Sequence, residues 1–135
     1  MKRTDRKSDC AINYSLEHIG DQWSLLIVRD MIYFGKRTYG EFLASDERIG
    51  TSVLARRLSE LERSGILTKT PSQTDKRKDE YHLTPKGLDL VPILVDLTEW
   101  GAAHDPDTGA DLHTIVKAKA NRTGFIRRLR AAAAV

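Results

Sequence analysis

Apolar residues recur at helical spacing along most of the chain, and clear stops separate the recurrences. Tyr14, Leu16 and Ile19 predict a helix over residues 13–19, ended by Gly20. Asp21 then stands as a cap before Trp23, Leu26, Ile27, Met31 and Phe34. Leu25, Val28 and Ile32 widen that stripe until the helix is apolar on nearly every side, which marks a central one. Gly35 ends it. Thr38 to Ala44 reads as a short helix, and a longer one runs from Thr51 to Ser64 before Gly65. Its core stripe is Leu54, Leu58 and Leu61. Rotation by about 100° per residue places Ser52, Arg56, Ser59 and Arg63 on the opposite side.

The pattern then changes. Ile66 to Thr70 reads as a strand, Pro71 to Asp79 as a polar, basic turn, and Glu80 to Leu83 as the return strand of a long-looped hairpin. Thr84 followed by Pro85 is a cap with proline at the first helical position. Leu88, Val91, Leu94, Val95 and Leu97 carry one helix towards Trp100, with a kink expected at Pro92. Asp105 to Gly109 is a loop. Asp111 to Leu129 is predicted as a final helix, with Leu112, Ile115 and Val116 apolar and Gly124 its weak point. The alanine-rich end, Ala131 to Val135, is expected to fray.

This order of elements describes a mainly α fold with a small β-hairpin, a winged helix-turn-helix with flanking dimerisation helices. Residues 1–104 form the DNA-binding domain in this reading, with its N-terminal and Leu88–Trp100 helices, and residues 105–135 a helical extension. A length of 135 residues suits one core and needs no crosslink, and a single cysteine permits none within the chain. No apolar run approaches the roughly 20 residues of a membrane span. The basic start of the chain has no apolar stretch behind it, so it does not read as a signal peptide. A reduced, cytoplasmic protein is the expectation.

Lys and Arg number 22 against 19 Asp and Glu, a mild excess that says little until the bases are placed. They gather where a DNA reader needs them. The free face of the Thr51–Ser64 helix offers short hydroxyls and arginines to a major groove wide enough for a helix. Asp75-Lys76-Arg77-Lys78-Asp79 makes a compact basic wing tip. The predicted DNA-contacting residues are Tyr39, Thr51, Ser52, Val53, Arg56, Arg57, Lys76, Arg77 and Lys78. Arg56 is expected to read bases, and Arg57, nearer the core edge, to meet a phosphate. The alternative for the helix alone is an ordinary amphipathic helix with a solvated basic face.

Several segments resemble one family. Ile19-Gly20-Asp21-Gln22-Trp23-Ser24-Leu25-Leu26-Ile27 resembles the segment IGGKWTLLIL, and Tyr39-Gly40-Glu41-Phe42 resembles RFxEL. Ser52 to Gly65 is similar to LxxxLRELExxGL, and Tyr81 to Gly87 with Trp100-Gly101 to YxLTxxGxxL…WG. These belong to the HxlR-type bacterial winged-helix regulators, and the resemblance covers about Cys10 to Gly101. It implies a homodimeric, DNA-binding transcriptional regulator of a pseudo-palindromic site. The family commonly carries a cysteine followed by proline where this chain has Cys10 and Ala11, and some members sense oxidants or electrophiles there. Lys7 and a helix N-terminus would both favour the thiolate. An oxidant or small-molecule effector acting through Cys10 is thus one reading, and a small packing residue the other.

Other chemistry finds less support. His18, His82, His104 and His113 are scattered without paired-ligand spacing, so no metal is expected. No phosphate loop, nucleophile elbow or cysteine–histidine pair points to an enzyme or a cofactor. Asp46-Glu47 reads as a solvated pair, and Trp23 and Trp100 as core or interface residues. Arg122, Arg127, Arg128 and Arg130 make the tail basic, as a solvated face or an added phosphate contact. The alternatives are a MarR-type regulator, whose wing Asp75-Lys76-Arg77 resembles, a winged helix that binds protein or RNA, and a cysteine-dependent redox enzyme. The first helix, the Leu88–Trp100 helix and the final helix are the expected dimer interface.

Overall fold

The computed structural model describes residues 6–109 and 118–134. Helix α1 spans Ala11–Ile19, capped by Cys10 in extended backbone, and it has no buried residue. Helix α2, Ser24–Phe34, runs through the centre. The Asp21 carboxylate accepts hydrogen bonds from the backbone N–H groups of Trp23 and Ser24, each at 2.9 Å, and from Ser24 Oγ. Those bonds occupy donors that a helix start leaves open, and they keep Trp23 in the turn before α2. Burial pushes the Asp21 carboxyl up, but the hydrogen bonds from Ser24 and Trp23 and the nearby Arg57 outweigh it and hold it below the usual carboxylate range.

Helices α3, Tyr39–Leu43, and α4, Thr51–Arg63, form the helix-turn-helix. Helix α3 opens with a reciprocal cap: Thr38 accepts from the Glu41 backbone, and Glu41 accepts from the Thr38 backbone. Helix α4 ends in a Schellman turn. Gly65, at φ +81°, supplies the left-handed residue, while Ile66 N–H donates to Leu61 O and Gly65 N–H to Glu62 O. This turn claims Ile66, so strand β1 begins one residue later than expected, at Leu67, and runs to Pro71. It pairs antiparallel with β2, Asp79–Leu83, from Leu67 opposite Leu83 to Pro71 opposite Asp79.

The single kinked helix expected after the hairpin is two helices, α5, Pro85–Leu88, and α6, Val91–His104. Pro92 does not kink a helix, because it lies in the first turn of α6, where its missing N–H would have had no partner. Residues 110–117, with Leu112, Ile115 and Val116, lie outside the described residues. The expected Asp111–Leu129 helix is not continuous: residues 118–120 are helical, and a new helix, α7, spans Arg122–Ala133. Asn121 caps α7 by accepting from Gly124 N–H at 3.1 Å, so Gly124 belongs to a capped start and not to a weak middle. The alanine-rich end does not fray up to Ala133, which is 5% exposed and whose carbonyl accepts from Arg37.

The core is built by Ile27, Val28, Met31 and Ile32 of α2, Phe42 of α3, Leu54, Leu58 and Leu61 of α4, and Leu90, Val91 and Leu94 around the start of α6. Ile126, Leu129 and Ala133 of α7 pack on the same core. The final helix, expected at a dimer interface, therefore turns its apolar side to its own chain. The extension and the preceding domain share one interior. Among the described residues no helix is long and apolar enough to cross a membrane.

Candidate nucleic-acid interface

Helix α4 presents its outer face as its periodicity requires. Leu54, Leu58 and Leu61 are buried, while Thr51, Ser52, Arg56, Ser59 and Arg63 are exposed. Val53 is half-buried and packs against the core, which leaves it only partly available. Tyr39 Oη donates to the Thr51 carbonyl at 3.1 Å, so one expected contact residue also holds the start of the helix that carries the others.

Arg57 lies on the flank of α4, nearer the core edge, and two carboxylates engage it. Its Nη1 lies 3.4 Å from Asp21 and its Nη2 2.9 Å from Glu60, and the side chain is 18% exposed. It sits on the flank of α4 that faces the start of α2, so its guanidinium ties α4 to the α2 cap. A second tie forms at the turn between α3 and α4. Arg29 donates two hydrogen bonds to Glu47, at 2.7 and 2.8 Å, and two to Asp30, at 3.0 and 2.7 Å. Asp30 is 2% exposed and also accepts from Ser45 Oγ, with Lys36 Nζ at 3.6 Å. Glu47 is exposed and is also half of an ion pair: the hydrogen bonds from Arg29 hold its carboxyl down to about 2. Asp30, Ser45 and Glu47 gave no signal in the sequence, because their meeting is created only by the return of the chain.

The wing is held from inside. Ser72 is buried, and its Oγ accepts from the backbone N–H groups of Thr74 and Asp75 at 3.2 and 3.3 Å. Ser72 N–H donates to Lys78 O, and Lys78 N–H to Asp75 O. The Asp75 carboxylate accepts from Arg77 Nε at 3.2 Å and Arg77 N–H at 3.0 Å. Those bonds, the side-chain one foremost, hold its carboxyl below the usual range. Lys76, Arg77 and Lys78 all project into solvent, Arg77 at 90% exposure. An open cleft of about 420 Å³ joins the wing to α3, lined by Thr38, Tyr39 and Gly40 on one side and Arg77, Lys78, Asp79 and Tyr81 on the other. The fold thus brings Tyr39, Arg77 and Lys78 to one cleft and fixes it beside α4 through the Tyr39–Thr51 bond.

Cys10 stands apart, exposed at the N-terminus of α1. Among the described residues no histidine, cysteine and carboxylate cluster is shaped to hold a metal ion. Of the tail arginines, Arg122 pairs with Asp96 at 2.7 Å, and Arg130 with Asp89 at 2.9 Å and with the Leu88 carbonyl. Arg127 and Arg128 are exposed. Trp23 is half-buried against the core, and Trp100 is 67% exposed on α6.

Comparison with known proteins agrees with this arrangement. The HxlR-like helix-turn-helix family matches residues 18–108. An uncharacterized HTH-type transcriptional regulator of Mycobacterium tuberculosis is 35% identical over 96 residues, which are 71% of this chain. The matched stretch spans only 60% of that relative's length. YybR of Bacillus subtilis, another uncharacterized HTH-type transcriptional regulator, is 33% identical over 73% of this chain and 78% of its own. Among solved structures, the redox regulator HypR in its oxidized form superposes with a TM-score of 0.62 at 33% identity, covering 70% of this chain and 96% of HypR. The reduced form of the transcriptional regulator YodB from B. subtilis gives 0.57 at 26% identity, over 70% and 93%. The M. tuberculosis protein, YybR and YodB are named as transcriptional regulators, and HypR as a redox regulator.

Proposed function

The chain belongs to the HxlR-like helix-turn-helix family of transcriptional regulators, and from that premise we propose that it binds a pseudo-palindromic site in double-stranded DNA as a homodimer. The observation that carries this reading is the outer face of α4. Ser52, Arg56, Ser59 and Arg63 stand free on a helix whose inner face is packed and whose start is tied to Tyr39. A helix so held enters a major groove with its contact residues already aligned. Arg56 is the base reader in this proposal, with Thr51 and Ser52 beside it. Tyr39, Lys76, Arg77 and Lys78 follow the backbone, and Arg57 holds α4 in place.

Two copies are needed because one winged helix covers one half-site, and half-sites lie one DNA turn apart, about 34–36 Å. Dimerisation is supported by uncovered apolar side chains, Ile12 and Leu16 on α1 and Leu97 and Trp100 on α6. An exposed set of this kind fits the apolar centre of an interface. Cys10, at the head of that same α1, is the proposed point of oxidant control, supported by its exposure and by the likeness to a redox regulator. With one thiol per chain, oxidation yields an intersubunit disulfide, a mixed disulfide or a higher oxide.

The test is selection of duplexes from a random library by the purified protein, followed by titration of the enriched duplex across salt concentrations. An enriched inverted repeat with a steep salt slope is expected, and enrichment of no sequence would overturn the reading. Diamide should shift binding of the wild type and leave Cys10→Ser unchanged. Equal responses of the two would return Cys10 to a packing role.

A further inference from the structure

We propose that Lys86 is a positioning residue for DNA recognition: it ties α1 to the end of the reading helix and sets the angle between them. Its Nζ donates to the Ser64 carbonyl at 2.8 Å and to Tyr14 Oη at 2.9 Å. The same ammonium lies 5.5 Å from the centre of the Tyr14 ring. Ser64 is the C-cap of α4, where the dipole is negative and a cation is favoured.

Both ends of this bridge have a reason to matter. On the α4 side, Thr84 and Gly87, which flank the lysine, are held against the turn that ends α4. Thr84 N–H donates to Ile66 O at 3.0 Å, and Thr84 Oγ1 to Gly65 O at 2.5 Å. Gly87 sits so close to the same turn that a Cβ there would come within 2.4 Å of Ile66 O. Lys86 is therefore mounted rigidly on the end of the reading helix. On the other side, α1 has no buried residue, so surface contacts set its direction. Tyr14 lies one turn after Cys10 and donates its N–H to the Cys10 carbonyl.

The inference rests on the proposed dimeric DNA binding. If α1 joins the two protomers, the distance between the two copies of α4 depends on the angle at which each α4 leaves its α1. A wrong angle mismatches half-sites whose separation the duplex fixes. Lys86 is not offered as a phosphate contact. Its ammonium already has two oxygen partners, and it lies at the C-terminal end of α4, whereas Thr51, Ser52 and Arg56 lie in the first half.

The probe is the duplex enriched by the wild type, with derivatives one base pair longer and shorter between half-sites, and an unrelated duplex as the non-specific control. Lys86→Met should bind the enriched duplex about tenfold more weakly and the unrelated one within about twofold of wild type. Its preference among the three spacings should flatten. Tyr14→Phe, which removes only a hydroxyl, should show the same flattening, and the double variant should lose little more. Lys86→Arg should restore the preference. Unchanged spacing preference in both single variants would overturn the proposal. So would equal loss on both duplexes with a salt slope lower by about 1, the mark of a phosphate contact. A wild type that enriches nothing overturns the DNA-binding reading instead, and this inference with it.

Discussion

Arg56 and Lys76 both project into solvent, but their positions give them different work. Arg56 rises from the first half of α4 and can fork onto a base edge, a contact that contributes about 1–3 kcal/mol of discrimination. Arg56→Ala should weaken the enriched duplex and relax preference at one position, which repeated selection with the variant would read. Lys76→Ala should weaken all duplexes alike and lower the salt slope by roughly 1. Glu47 makes a prediction about acid. Its carboxyl is held at about 2 against an ordinary 4.5, chiefly by the Arg29 hydrogen bonds. The folded value lies below the unfolded one, so the pair stabilises the fold above 4.5, and that stability is lost as pH falls from there towards about 2. Glu47→Gln should cost about 0.5–1 kcal/mol at neutral pH, as expected of a forked but partly exposed pair. Urea unfolding should show the gap from wild type closing with acid, and a gap constant with pH would refute the assignment.

At the scale of elements, the junction between α4, the hairpin and α5 is closely built. Gly87 and Thr84 bring α5 against the Schellman turn, so the orientation of the hairpin and the end of α4 are set together. Gly87→Ala should destabilise by about 1–3 kcal/mol, because the carbonyl it would meet is backbone and cannot rotate away. Gly40, inside α3, meets nothing within 4 Å, and Gly40→Ala should be neutral or stabilising by up to about 1 kcal/mol. Chemical denaturation of the two variants distinguishes them. Similar gains in both would mean that helix entropy, and not the close approach at Gly87, governs this region.

At the scale of the molecule, most of the large apolar side chains left uncovered lie on α1 and α6, with Tyr33 and Phe34 at the end of α2. Leu16 is 61% exposed, so Leu16→Arg should leave the melting temperature of the protomer nearly unchanged. It should convert a dimer to a monomer in light scattering at micromolar concentration, with loss of the inverted-repeat preference. A clean monomer mass for the wild type would refute the two-half-site arrangement.

Periodicity alone located α1 to α4 to within a few residues, because burial on one face leaves a period that local spacing records, but it merged α5 and α6 into one helix. Leu54, Leu58 and Leu61 sufficed to orient α4 and so to nominate Ser52 and Arg56, and Thr84-Pro85 announced its cap. The basic wing was legible for the same reason, as a local cluster between two strands. What the sequence left undecided depends on atoms far apart in the chain. Arg57 reads as a free cation until Asp21 is brought beside it, and Glu47 as a solvated acid with no partner until Arg29 arrives from α2. Lys86 is an unremarkable surface lysine until α1 and the end of α4 meet on either side of it. Even the local errors have this origin. Pro92 opens a helix because the chain turns at Leu90, and the alanine tail stays helical because Ala133 finds a place in the core. Spacing determines which face of an element is apolar. Only the tertiary structure decides which charges and carbonyls become neighbours, because their pairing energy exists only once the chain has returned.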